Sequence, residues 1–157
     1  MKIMSWMGPI LVGVAGMALT AQADVRLANV FTNNMMFQRD QPIRIWGWAA
    51  TGATVRLTLA GKEIAATAGP KGDWRADFPS MKEGENLTLT VTEQNSIVLT
   101  NLILGDIWIC SGQSNMQWPL RMSLDSTGDI QSAVFPKIRM IKIKYVASAH
   151  PEENIAA

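Results

Sequence analysis

Cysteine and histidine are nearly absent from this sequence, with one of each in 157 residues. A single cysteine, Cys110, cannot close an internal disulfide, so the fold must rest on its apolar core. Cys110 lies in an apolar run and is expected to be a buried, inert thiol. It is also far from the N-terminus, which excludes it as the lipidated cysteine of a lipoprotein. Neither charge dominates: 14 Lys and Arg stand against 13 Asp and Glu. That balance gives no reason to expect nucleic acid or an anionic membrane as a partner. Repeats, heptads and low-complexity tracts are missing, and only one apolar run is long enough to raise the question of a membrane.

That run opens the chain. Lys2 supplies a positive start, residues 3–19 carry no charge, and Ala21-Gln22-Ala23 places small residues where a signal peptidase reads. Residues 1–23 are therefore expected to be a secretory signal, with the mature chain starting near Asp24 and no membrane attachment after cleavage. An uncleaved anchor is the competing reading. Gly8, Pro9, Gly13 and Gly16 weaken a spanning helix, and the run is short for one. The protein is expected to be exported, to a periplasm or to the medium.

Residues 24–104 read as β. Apolar and other residues alternate over 43–48 (Ile-Arg-Ile-Trp-Gly-Trp), 54–59 (Thr-Val-Arg-Leu-Thr-Leu) and 86–92 (Asn-Leu-Thr-Leu-Thr-Val-Thr). A period of two turns one face of each strand inward. Breakers separate the runs at Thr51-Gly52, Ala60-Gly61, residues 69–73, Glu83-Gly84-Glu85 and Gln94-Asn95. Short strands between such turns predict an antiparallel β-sandwich. Trp46 and Trp48 share a face by alternation and, with Trp74, are expected to pack in that core; a sugar-stacking platform is the alternative. Asn86-Leu87-Thr88 is a formal glycosylation sequon inside an expected strand, which reads as coincidence.

The pattern changes after Leu104. Ile107-Trp108-Ile109-Cys110 is uniformly apolar, as suits a strand buried on both faces of a parallel sheet. Residues 124–134 suit a short helix, and 137–145 suit a second strand with Lys137, Arg139, Lys142 and Lys144 on its solvated side. Strand, helix, strand is the opening of an α/β domain, of which 105–157 would be only the beginning. Between the first strand and the helix stands Gly112-Gln113-Ser114-Asn115. A serine on a sharp turn at a strand end can act as a nucleophile if a base reaches it. Gly112 permits the turn, and the Gln113 and Asn115 amides offer donors and acceptors. By composition alone, these residues favour a plain strand-to-loop turn over a nucleophile turn.

The whole segment 105–120, Gly-Asp-Ile-Trp-Ile-Cys-Ser-Gly-Gln-Ser-Asn-Met-Gln-Trp-Pro-Leu, resembles the nucleophile block of the sialate O-acetylesterase family, SGNH-type (GDSL-like) carbohydrate esterases. Residues 31–38, 42–47, 72–74 and 135–139 are similar to other landmarks of that family. The resemblance implies a flavodoxin-like α/β catalytic domain after the β-domain. It implies Ser114 as the nucleophile that attacks the acetyl carbonyl of an O-acetylated sugar. The Ser114 backbone N–H would be one oxyanion donor, and Gln113, Asn115 and Trp118 would lie against substrate. It implies no metal and no organic cofactor. The family's remaining oxyanion donors and its Asp-x-x-His block come later in the chain. Here the one histidine, His150, has Ala147 rather than Asp three residues before it, and it reads as a loop residue. Asp106, Asp125 and Asp129 have no histidine to orient; Asp106 is expected to serve a turn. The chain therefore reads as an N-terminal portion of such an esterase, inactive alone. The alternative is a non-catalytic carbohydrate-binding or scaffolding β-domain. Sugar identity, acetyl position and oligomeric state have no signature in the sequence.

Overall fold

Eight strands account for almost all regular structure in the computed structural model, which describes residues 23–155. The expected signal peptide lies outside the described residues except at Ala23. The strands are β1 (Arg26–Leu27), β2 (Met36–Gln38), β3 (Ile43–Trp48), β4 (Thr54–Leu59), β5 (Lys62–Thr67), β6 (Asp73–Phe78), β7 (Gly84–Thr92) and β8 (Ser96–Gly105). One sheet has the order β1-β3-β6 and the other β2-β8-β7-β4-β5.

Alternation sets the burial. In β4, Val55, Leu57 and Leu59 are buried while Thr54, Arg56 and Thr58 face out. In β6, Trp74, Ala76 and Phe78 are buried while Asp73, Arg75 and Asp77 are exposed. A single apolar cluster draws Ile43, Ile45 and Phe78 from the first sheet and Leu57, Leu89 and Leu102 from the second. Each sheet thus covers one face of the other, and neither has a core alone.

Turn chemistry fixes the register. Ala60 and Gly61, both at positive φ (49° and 75°), form a two-residue hairpin that pairs Leu59 with Lys62. Gly47 answers a different need: a Cβ there would sit 1.9 Å from the Arg26 carbonyl oxygen, so only glycine lets β1 lie against β3.

Three features depart from the sequence reading of this region. The expected breaker at 83–85 instead opens β7, and the chain absorbs it with Asn86 at φ 55° and shifts in the β7–β8 register. The pairing is not wholly antiparallel, since β2 runs parallel to β8. Trp74 is in the core, whereas Trp46 and Trp48, on the other face of β3, are only half-buried and pack against the same cluster from outside it. There Trp46 meets Phe31 edge-on at 4.7 Å, and the Arg26 guanidinium sits 5.8 Å from the Trp48 ring.

After Gly105 the strands stop. A short helix α1 (Ser114–Gln117), a 3-10 turn (Leu120–Met122) and a helix α2 (Ser126–Ser132) are the regular elements that follow among the described residues. Helix α2 falls inside the expected 124–134. The two expected strands do not form. Residues 107–110 are irregular and exposed, Cys110 included, and so are 137–145 except for half-buried Arg139. The physical reason is pairing. A strand buried on both faces needs neighbouring strands at its edges and helices above and below, and no described residue supplies them. Apolar side chains remain in water as a result, with Ile109 92% and Met140 95% exposed. The trailing segment is tied back by polar contacts. Lys137 pairs with Glu85, and Arg139 donates to Asn101 and to the Met35 carbonyl. Arg139 is therefore not the solvated strand residue the sequence suggested.

Candidate functional site

The path to Ser114 starts where β2 and β8 end side by side. Gln38 pairs with Gly105, and the Arg39 N–H donates to the Gly105 carbonyl at 2.9 Å. The Arg39 guanidinium then grips Asp106 with two bonds, Nε to Oδ1 at 3.0 Å and Nη2 to Oδ2 at 3.1 Å. Its Nη1 reaches Glu83 at 3.3 Å. Such two-point arginine–carboxylate contacts fix direction as well as distance. The hydrogen bond from Arg39 holds the Asp106 carboxyl below the ordinary carboxylate range. A depressed carboxylate keeps its partner at neutral pH and loses it as pH falls through the lowered value. Asp106 thus serves the strand exit, through a partner far away in sequence, rather than the turn expected of it.

Ser114 opens α1, with Gln113 in extended conformation at the N-cap position. The first N–H groups of a helix lack intrahelical acceptors, which leaves the Ser114 N–H available to an oxyanion. Met116 closely approaches Gly112: a Cβ there would lie 2.6 Å from Met116 Cγ, so the exposed Met116 side chain would have to move aside. The Gln113 carbonyl accepts from the Met116 N–H at 2.9 Å, and Gln117 Nε2 donates to the Tyr145 hydroxyl at 2.8 Å. Gln113, Ser114, Asn115 and Trp118 are all exposed on one short stretch of chain. They are brought together by sequence adjacency. Ser114 therefore sits at the start of a helix behind a glycine, but not at the end of a formed strand.

No base is paired with it. Among the described residues, the Ser114 hydroxyl makes no hydrogen bond, and neither does the His150 imidazole. The His150 backbone instead joins a small turn, accepting from Ser148 Oγ at 2.7 Å, while the same hydroxyl contacts Glu152 at 2.6 Å. Asp125 stands at positive φ before α2 without capping it, and Asp129 lends its carbonyl to Ser132. Three converging His, Cys, Asp or Glu side chains of the kind that ligate a metal do not occur among the described residues.

A concavity lies over the outer face of β3. Asn29 holds the chain's later residues there, its N–H donating to Asn154 Oδ1 and its Nδ2 to the Ile155 carbonyl, both at 2.8 Å. Arg26, Trp48, Pro151, Glu152, Glu153 and Asn154 line an open cleft of about 550 Å³. Sequence reasoning placed Trp48 in the core and gave no sign of this cleft, since it depends on residues more than a hundred positions away.

No family model matches this chain. Curated relatives do. It is 28% identical to the sialate O-acetylesterase of Rattus norvegicus, over 94% of this chain and 29% of that protein. The corresponding human protein is 26% identical over 84% of this chain and 28% of its own length. Among solved structures, a carbohydrate acetylesterase from Xanthomonas citri superposes with a TM-score of 0.81 at 26% identity, covering 85% of this chain and 31% of that one. The chain thus spans less than a third of the relatives it matches. The resemblance carried by residues 105–120 extends over most of the chain, to the N-terminal portion of the sialate O-acetylesterases.

Proposed function

We propose that this chain, similar throughout to the N-terminal portion of sialate O-acetylesterases, is the nucleophile-bearing part of a carbohydrate O-acetylesterase. The supporting observation is the 105–120 segment, with Ser114 exposed at the first turn of α1, directly after Gly112 and Gln113. In the reaction, Ser114 Oγ bonds to the acetyl carbonyl carbon and gives its proton to a base. The sugar oxygen leaves with a proton, and water then releases acetate from the acetyl-serine. The base and the remaining oxyanion donors come from outside the described residues, in the α/β domain that 105–157 would begin. The two sheets are read as a β-sandwich domain that carries this segment. The substrate is an O-acetylated sialic acid or a related sugar.

The test is a chimera. Residues 24–157 replace the aligned segment of the rat enzyme, and acetate release from an O-acetylated sialic acid is measured. The folded chimera is expected to be active, and Ser114→Ala to lower its rate by roughly 10³-fold or more, since a nucleophile and its base act as a unit. A folded, active chimera indifferent to Ser114→Ala would remove Ser114 from the mechanism.

Export is proposed on the strength of Lys2, the uncharged run and Ala21-Gln22-Ala23. Mass spectrometry of the exported protein should find Asp24 at its N-terminus. An exported pool that retains Met1 contradicts cleavage.

A further inference from the structure

We propose that Gln38 and Arg39 are positioning residues that aim the Ser114 segment as it leaves the β-domain. The proposal rests on Ser114 being the nucleophile; the clamp itself stands on geometry alone. Three successive residues are held at three different atoms. The Gly105 carbonyl accepts from the Arg39 N–H, the Asp106 carboxylate takes both arms of the Arg39 fork, and the Ile107 N–H donates to Gln38 Oε1 at 2.9 Å. Gln38 is itself oriented, because its Nε2 donates to the Arg39 carbonyl at 3.2 Å. The next residue is anchored too: the Asp40 N–H donates to the Met81 carbonyl at 2.8 Å, and its carboxylate pairs with Lys82 at 2.7 Å.

This arrangement is a poor device for stability. The side chains of Arg39, Asp106 and Glu83 are 38%, 54% and 71% exposed. Ion pairs that wet contribute little to folding. What the arrangement does fix is a direction. Beyond Ile107, the next hydrogen bonds along the described chain are those of α1. An extended chain of seven residues reaches up to about 25 Å, so a small rotation at Asp106 moves Ser114 a long way. Misplacement of a reacting group by about 1 Å can cost on the order of 10²-fold in rate. A fork that cannot swivel, together with an acceptor for the following N–H, removes that rotation. Lysine offers a point charge and no fork, so it cannot substitute at position 39.

The test has two arms, so that failure of the clamp and failure of the nucleophile assignment are told apart. In the 157-residue chain, Gln38→Leu and Arg39→Lys are expected to raise amide hydrogen exchange at Ile107, whose N–H is held by Gln38, about tenfold. Exchange in β4 should stay unchanged. In the active chimera, the same substitutions should lower kcat about tenfold and leave KM within about twofold. The swap Arg39→Asp with Asp106→Arg should recover part of the loss. Unchanged exchange at Ile107 overturns the clamp, and so does faster exchange that extends equally into β4. Raised exchange with unchanged kcat overturns the positioning role. A chimera inactive before any clamp substitution counts against the nucleophile reading, while the exchange arm still decides the clamp.

Discussion

Purified residues 24–157 are expected to cleave an aryl acetate no faster than their Ser114→Ala variant. Ser114 lies in the open, with no hydrogen bond from its hydroxyl among the described residues. A serine hydroxyl at neutral pH is a weak nucleophile until a base takes its proton. General-base assistance contributes roughly 10²–10⁴ in rate, and one oxyanion donor roughly 10²–10³. Of these, the described residues offer one donor, the N–H at the head of α1, and it faces water. A donor in water is worth far less than the same donor in a dry, enclosed site. Base and donors do not contribute independently, so the deficits are not multiplied; what remains is close to the uncatalysed rate. Acetate release is followed by titration for wild type, Ser114→Ala and His150→Ala. A clear wild-type rate that disappears in both variants would mean that His150 reaches Ser114 in solution. A rate lost only with Ser114→Ala would point to another base within these residues. Either outcome overturns the expectation.

What the sequence revealed, and what it hid, follows the range of the interactions involved. Strands β3 and β4 were legible to the residue because alternation is a local signal, and Ile43, Ile45, Val55, Leu57 and Leu59 are buried as their spacing implies. Strand β5 was not singled out. Its Lys62-Glu63-Ile64-Ala65-Ala66-Thr67 has small or charged residues and lies half-exposed at a sheet edge, where packing asks little of the side chains. The parallel β2–β8 pair joins segments more than sixty residues apart, and neither sequence records its partner. The site shows the same division. Gly112 and Ser114 were visible as a motif. The Gln38 and Arg39 contacts to residues 105–107 were not, because they depend on that parallel pair. Residues 107–110 were misread for the converse reason. Their composition suits a central strand, but a strand exists only with partners to bond.

Phe78→Ala is expected to cost about 3–5 kcal/mol of folding free energy, whereas Ile141→Ser should change it by less than about 0.5 kcal/mol. Both substitutions remove large apolar side chains, and burial decides between them. Phe78 is fully buried at the end of β6, opposite Ile43, in the cluster shared by the two sheets. Its loss leaves a cavity that neighbouring strands, bound in register, cannot collapse to fill. Against a typical total of about 5–15 kcal/mol, that loss moves the urea midpoint far down. Ile141 is 61% exposed in a segment without strands, so its removal exposes almost nothing new. Urea unfolding followed by circular dichroism measures both, with the slope against urea expected to be unchanged for Ile141→Ser. A cost above about 1.5 kcal/mol for Ile141→Ser would show that residues 137–145 are packed in solution. The free energy of folding would then be shared with that segment. If the contrast holds, the stability of the described chain resides in residues 25–105. The exposed apolar stretch from 107 to 146 is then surface of the kind that proteins cover with a further partner or lose to aggregation.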